Sequence, residues 1–258
     1  MSPQDSIDSH GPPTRFAVAL YPGFQALDVF GPLDILNMLS KIRPLSLEIL
    51  STTLDPVPTL TSSSGHTTGQ SIMPTRIYAD GVDDIEVLLV PGGFGSRDPA
   101  NVAPVVEYVR AAYPRLKYLL TVCTGSAVVA TSGVLDGRRA TSNKRAWEWN
   151  SLSPLFPFPP TLPYPLAVSA VINGKRWRQK ATAQGPLVNW VRQARWVTDG
   201  NIWTSSGISA GIDMMYAFVA DQYGEDVAQT LANASEYVRN TDPEFDPFAG
   251  KAENGITK

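Results

Sequence analysis

The chain has 258 residues, 43% of them hydrophobic, with a net charge of −3 and a pI near 5.4. This balance, with no basic stripe, argues against a nucleic-acid partner, and no apolar run approaches the ~20 residues a bilayer requires. A polar, Pro-containing N-terminus without an apolar core excludes a secretory signal. A single cysteine rules out an intrachain disulfide, and with only His10 and His66 beside it leaves no metal-ligand set. A cytoplasmic protein without metal or cofactor is expected.

Residues 1–14 read as a disordered tail. "RFAVALY" (Arg15–Tyr21) is a buried strand, and a turn at Pro22-Gly23 leads into a helical pattern from Gln25 to Leu39. "LSLEILST" (Leu45–Thr52) alternates as a second strand, and residues 55–70, rich in Thr, Ser, Pro and Gly, read as loop. "IEVLLVPGG" (Ile85–Gly93) is a continuous apolar strand, Asn101–Tyr113 has helical spacing, and "KYLLTV" (Lys117–Val122) is another buried strand. "GSAVVATSGVL" (Gly125–Leu135) follows as a helix, Ala194–Gly207 as a hairpin turning at Asp199-Gly200, and 210–224 and 225–238 as two more helices. Apolar strands separated by helices predict an α/β domain, a mostly parallel central sheet covered on both faces as a three-layer sandwich. One domain over 15–240 is expected, with 241–258 as a C-terminal tail.

Cys123 falls where a buried strand stops and a helix begins, with Gly125, Ser126 and Ala127 after it. Small neighbours let the chain fold back sharply, and such a turn lifts a side chain to the C-terminal edge of the sheet, where α/β proteins bind ligands. The helix N-terminus favours a thiolate, which predicts a depressed thiol pKa. By placement alone, a small buried hydrophobe and a nucleophile are equally good readings.

The segment "TVCTGSAVVATSGVLDGRRATS" resembles the nucleophile elbow of the ThiJ/PfpI superfamily, whose fold is that of the class I glutamine amidotransferases. "LYPGFQALDVFGPLDIL", "LLVPGGFG" and "WTSSGISAGIDMMYAFV" resemble its first strand and helix, the strand before the elbow, and its late turn and helix. Asp28 in "QALDVFGP", Cys-Thr-Gly at the elbow and "SSGISAGID" resemble the isocyanide hydratase branch. They equally resemble the amidotransferase-like half of some AraC-type regulators, which carry a further helix-turn-helix that this sequence lacks, so an enzyme is expected. The resemblance implies a nucleophilic Cys123 with Asp28 beside it as acid and base, and a place for Asp213 at the same pocket. Backbone N–H groups of Thr124, Gly92 and Gly93 would form an anion pocket. It further implies a homodimer acting on a small molecule. Another cysteine-dependent enzyme of secondary metabolism and a cysteine redox sensor are the alternatives.

Two features depart from the superfamily pattern. After the elbow helix, relatives carry a histidine that approaches the cysteine; here the run is "RATSNKRAWEW", with Asn143 at that place, where it would border the substrate. A Cys-His dyad for amide hydrolysis is therefore not expected, while chemistry with thiol, carboxylate and water is. The second is an insertion over 150–179, dense in proline between Pro154 and Pro165, which forbids a continuous helix. A pocket lid, a dimer arm and a foreign segment from an imperfect gene model remain open for it.

Overall fold

Alternation along the first strand decides how the sheet is filled. In "RFAVAL", Phe16, Val18 and Leu20 point to one face and Ala17 and Ala19 to the other. A computed structural model describes residues 11–61, 67–81, 84–147, 171–172, 175–176 and 187–250. Its elements in chain order begin with β1 (Arg15–Ala19), α1 (Ala26–Leu39), β2 (Ser46–Ser51), β3 (Val57–Pro58), β4 (Ser71–Ile72) and β5 (Arg76–Ile77). Next come β6 (Val87–Val90), α2 (Pro99–Ala112), β7 (Tyr118–Thr121), α3 (Gly125–Ala130) and β8 (Arg139–Ala140). The chain continues through β9 (Val171–Ile172), β10 (Lys175–Arg176), β11 (Asn189–Trp190), β12 (Trp196–Asp199) and β13 (Ile202–Ser205) to two last helices, α4 (Ser209–Tyr223) and α5 (Glu225–Ala234).

Among the described residues the main sheet has seven strands in the order β12-β13-β7-β6-β1-β2-β5. Every pairing in it is parallel except the β12–β13 hairpin, which turns at Asp199-Gly200 as expected. The alternation of β1 repeats in β6 and β7. Val87, Leu89 and Leu120 join Phe16 and Val18 on the face covered by α1, α4 and α5; Leu88, Val90 and Leu119 lie on the face covered by α2 and α3. This is the three-layer α/β sandwich.

Three expectations are adjusted. The helix expected over Gly125–Leu135 stops at Ala130 and gives way to turns, since Thr131, Ser132 and Gly133 favour local bonds such as Ser132 Oγ to Val129 O at 2.6 Å. The 55–70 loop contains a short pairing edge, Val57–Pro58 against Ser71–Ile72. Residues up to Gly250 do not hang free as a tail. Arg195 N donates to Pro243 O at 2.6 Å, and Asp246 and Ala249 are buried. Most of the expected 150–179 insertion lies outside the described residues; within it, β9 and β10 pair antiparallel.

Phe218 on α4 is fully buried and meets Phe16, Tyr118 and Trp203 edge to face, at centroid distances of 6.5, 5.1 and 5.5 Å. It ties the C-terminal helices to strands from three parts of the sequence. Phe218→Ala should lower unfolding free energy by about 3–5 kcal/mol, read as a fall in the urea midpoint at unchanged slope.

Candidate active site

The parallel strands end together on one side of the sheet, and the segments leaving β6 and β7 form the site there. Cys123 has φ 60°, a left-handed conformation that residues with a Cβ rarely hold. Its neighbours determine it. The Cys123 N–H donates to Ser206 O at 3.1 Å, and its carbonyl accepts from Ser142 Oγ at 2.8 Å and from Ser126 Oγ at 3.2 Å. Gly92 lies directly against this turn, for a Cβ there would come within 2.5 Å of Thr124 N and 2.9 Å of Cys123 Cβ. The sharp strand-to-helix turn expected at Cys123 is present.

The Cys123 side chain is 7% exposed. The Thr124 N–H, the Asn143 side chain and the Asp28 carboxyl are the groups that act on its thiol, the first two favouring the thiolate and the third opposing it. Asn143 is held by Ala146 N donating to its Oδ1 at 3.1 Å, and its Nδ2 occupies the space that a Cβ on Gly207 would need, 2.4 Å away. Asn143 thus stands against the thiol, where relatives were expected to place a histidine. His10 and His66 lie outside the described residues.

Asp28, in the first turn of α1, is completely buried. Its Oδ2 accepts from Gly92 N at 3.0 Å, while Oδ1 has no partner with hydrogen-bond geometry among the described residues. The Cys123 thiol is the other group that acts on this carboxyl. Burial pushes the carboxyl from its ordinary 3.8 to about 7, against the opposing pull of the Gly92 N–H and the thiol. Burial likewise pushes the thiol up, and the Asp28 charge adds to it; the Thr124 and Asn143 donors only partly offset this. The depressed thiol expected from the helix end is thus corrected, because a six-residue helix cannot outweigh burial beside an acid. Tyr21, equally buried, donates its hydroxyl to Pro91 O at 2.9 Å and senses both charges.

The other expected site residues are placed differently. The Gly92 N–H is taken by Asp28, and the Gly93 N–H donates to Thr124 Oγ1 at 3.0 Å, which also accepts from Ser96 Oγ at 3.1 Å. The expected three-donor anion pocket is consequently not an open one. Both carboxylate oxygens of Asp213 are engaged by other segments. Its Oδ2 pairs with Arg195 at 2.5 Å, and its Oδ1 accepts from the Tyr237 hydroxyl at 2.9 Å and Asn240 N at 3.0 Å. It anchors the chain after α5.

Sequence reasoning missed Lys144 and Asp246, buried and 3.3 Å apart, just behind the turn. Lys144 directly follows Asn143 in the segment after β8, and nothing local distinguishes it from Arg145 beside it; Asp246 lay in what read as tail. With these assigned, each buried acid in the described residues but one has a cation. Glu86 has Lys117 at 2.7 Å and Arg15 at 3.4 Å, Asp213 has Arg195, and Asp246 has Lys144. Asp28 has the thiol instead. No group of three or more His, Cys, Asp or Glu suited to a metal occurs among the described residues, and none of their helices is long and apolar enough to cross a membrane.

The model of the DJ-1/PfpI family matches residues 14–149. An isonitrile hydratase of Pseudomonas putida is 29% identical over 218 residues, 84% of this chain and 76% of that protein. Among solved structures, a ThiJ/PfpI family protein from Pseudomonas syringae superposes with a TM-score of 0.59 at 24% identity, over 95% of this chain and 83% of that one. An AraC family transcriptional regulator from Pseudomonas putida gives 0.62 at 16% identity, over 86% and 100%. At these identities the two structures establish the shared fold.

The buried carboxyl has a thermodynamic signature. A raised folded pKa means stability that is present at low pH and lost as pH climbs from 3.8 towards about 7. That span corresponds to about 4 kcal/mol. Asp28→Asn, which cannot ionise, should match the wild type near pH 4 and exceed it above pH 7. Urea unfolding of both proteins across this range measures the difference.

Proposed function

The chain belongs to the DJ-1/PfpI family, and from that membership we propose that it is an enzyme of the isonitrile hydratase kind, adding water to an isocyanide to give an N-formamide. One observation carries the reading. Among the described residues Asp28 is the buried acid without a cation, and its unpartnered Oδ1 lies in the same buried site as the Cys123 sulfur. A thiol beside a carboxyl that titrates at about 7 has what this reaction asks for, a nucleophile and a group that both takes and returns a proton near neutrality.

The terminal carbon of R–N≡C accepts the sulfur lone pair while the Asp28 carboxylate takes the thiol proton. That proton passes to the same carbon and leaves a thioimidate, R–N=CH–S–Cys123. The carboxylate, regenerated, draws a proton from water as its oxygen adds to the carbon, and the nitrogen gains that proton. The C–S bond then breaks, the hydroxyl proton returns to sulfur, and R–NH–CHO leaves. The raised thiol pKa suits this order, since the proton leaves sulfur as the S–C bond forms. It also weakens the redox-sensor alternative, because oxidation favours an exposed thiolate. Asn143 and the Thr124 N–H would hold the sulfur between steps.

The protein acts in this reading on a small molecule, in the cytoplasm and as a homodimer. The exposed Leu27 and Phe30 on the outer side of α1, next to Asp28, support a second copy there.

Formamide release from an alkyl or aryl isocyanide is the test. Cys123→Ala should abolish it without changing the melting temperature, and Asp28→Asn should slow it at least ~100-fold. In the wild type kcat/KM should rise with pH through about 7, where Asp28 ionises. Turnover in Cys123→Ala would end the covalent route. No formamide from any isocyanide tried would pass the site to another cysteine-dependent reaction.

A further inference from the structure

The left-handed backbone of Cys123 is gripped at both its N–H and its carbonyl by serines from other segments, Ser206 and Ser142. Both serines touch a single buried ion pair. Ser206 Oγ donates to Asp246 Oδ2 at 2.8 Å, Lys144 Nζ donates to Ser142 O at 3.1 Å, and Nζ and Oδ2 are 3.3 Å apart. The Lys144 side chain is 4% exposed and that of Asp246 1%. Lys144 spends its remaining donors on Thr141 Oγ1 at 2.8 Å and Ala194 O at 3.0 Å, and Asp246 Oδ1 accepts from Phe248 N at 2.9 Å. Three of these bonds, to Ser142 O, Ala194 O and Phe248 N, fix backbone directly.

Asp246 comes from the segment after α5, which crosses behind the site as a strap. Its root is fixed by Asp213, which accepts from Asn240 N, and its middle by Arg195 N donating to Pro243 O. A buried ion pair is a poor source of stability, since apolar residues of like volume often serve as well. What this pair supplies that apolar residues would not is directional hydrogen bonds to the two serines that hold Cys123.

We propose that Asp246 is a positioning residue for the Cys123–Asp28 pair, acting through Ser206 and, by way of Lys144, through Ser142, to set the backbone that aims the thiol at the carboxyl. The inference stands on that geometry and is independent of the isocyanide reading. The groups that act on the thiol directly are Asp28, the Thr124 N–H and Asn143, and Tyr21 senses its charge in turn. Lys144 and Asp246 carry opposite charges 3.3 Å apart, so removing both together leaves the net charge behind the turn unchanged.

Ionisation of Cys123 is followed without substrate by the 13Cβ shift of the single labelled cysteine, over the pH range in which circular dichroism reports an intact fold. Asp28→Asn should lower the thiol midpoint, because it removes the neighbouring charge. In a background carrying Lys144→Met and Asp246→Leu, which removes both charges together, the same substitution should displace the midpoint by less than half as much. If that background does not fold, Ser206→Ala, which deletes only the hydroxyl joining the strap to the turn, takes its place with the same expectation. An undiminished displacement in the folded variant used would overturn the proposal.

Discussion

A residue with a Cβ does not stay at φ 60° unaided; the left-handed region costs it about 1–2 kcal/mol. At Cys123 that strain is what turns the chain from β7 into α3 and leaves the side chain at the end of the sheet. The surroundings are arranged to keep it there: Gly92 makes room, Ser142 and Ser206 hold the peptide on either side, and Ile208, at φ 38°, adds a second strained residue two positions beyond Ser206. Strain of this sort survives only where neighbours over-determine it.

Charge follows the same division of labour. Glu86, Asp213 and Asp246 are each buried against a cation, and each fixes backbone: Glu86 at the start of β1, Asp213 after α5, Asp246 behind the turn. Their charges are spent. Asp28 faces a group that is itself an acid, and two adjacent groups of that kind are spared a second negative charge by keeping a proton between them. Among the described residues Asp28 is the one buried acid without a cation beside it.

How much of this could be read beforehand depended on range. The strands of the parallel sheet and the hairpin at Asp199-Gly200 were legible because their patterns are local. That Asp28 and Cys123 would lie beside each other was legible because their flanking residues are distinctive. The occupied Gly92 and Gly93 donors were not, since nothing in "PGGFG" says which oxygens the chain will bring to them. Asp213 misled for the same reason: its partners Arg195, Tyr237 and Asn240 are spread along the chain. The direction of the thiol's pKa was missed because the local helix end was visible in sequence and the depth of burial was not. Asp246 sits in a Pro- and acid-rich stretch that resembles solvated tail, and its contacts with Lys144 and Ser206 join segments far apart in sequence.

The same spread in sequence governs when the site comes into being. Asp28 belongs to the first helix and Asp246 to the last dozen or so residues, with Gly92, Cys123, Asn143 and Ser206 supplied by segments in between. No hairpin or single crossover contains enough of them to bury an acid beside a thiol, and each parallel pairing needs a long loop closed first. The centre is therefore built almost wholly from non-local contacts, and its last member in the chain, Asp246, reaches it only when the strap is in place.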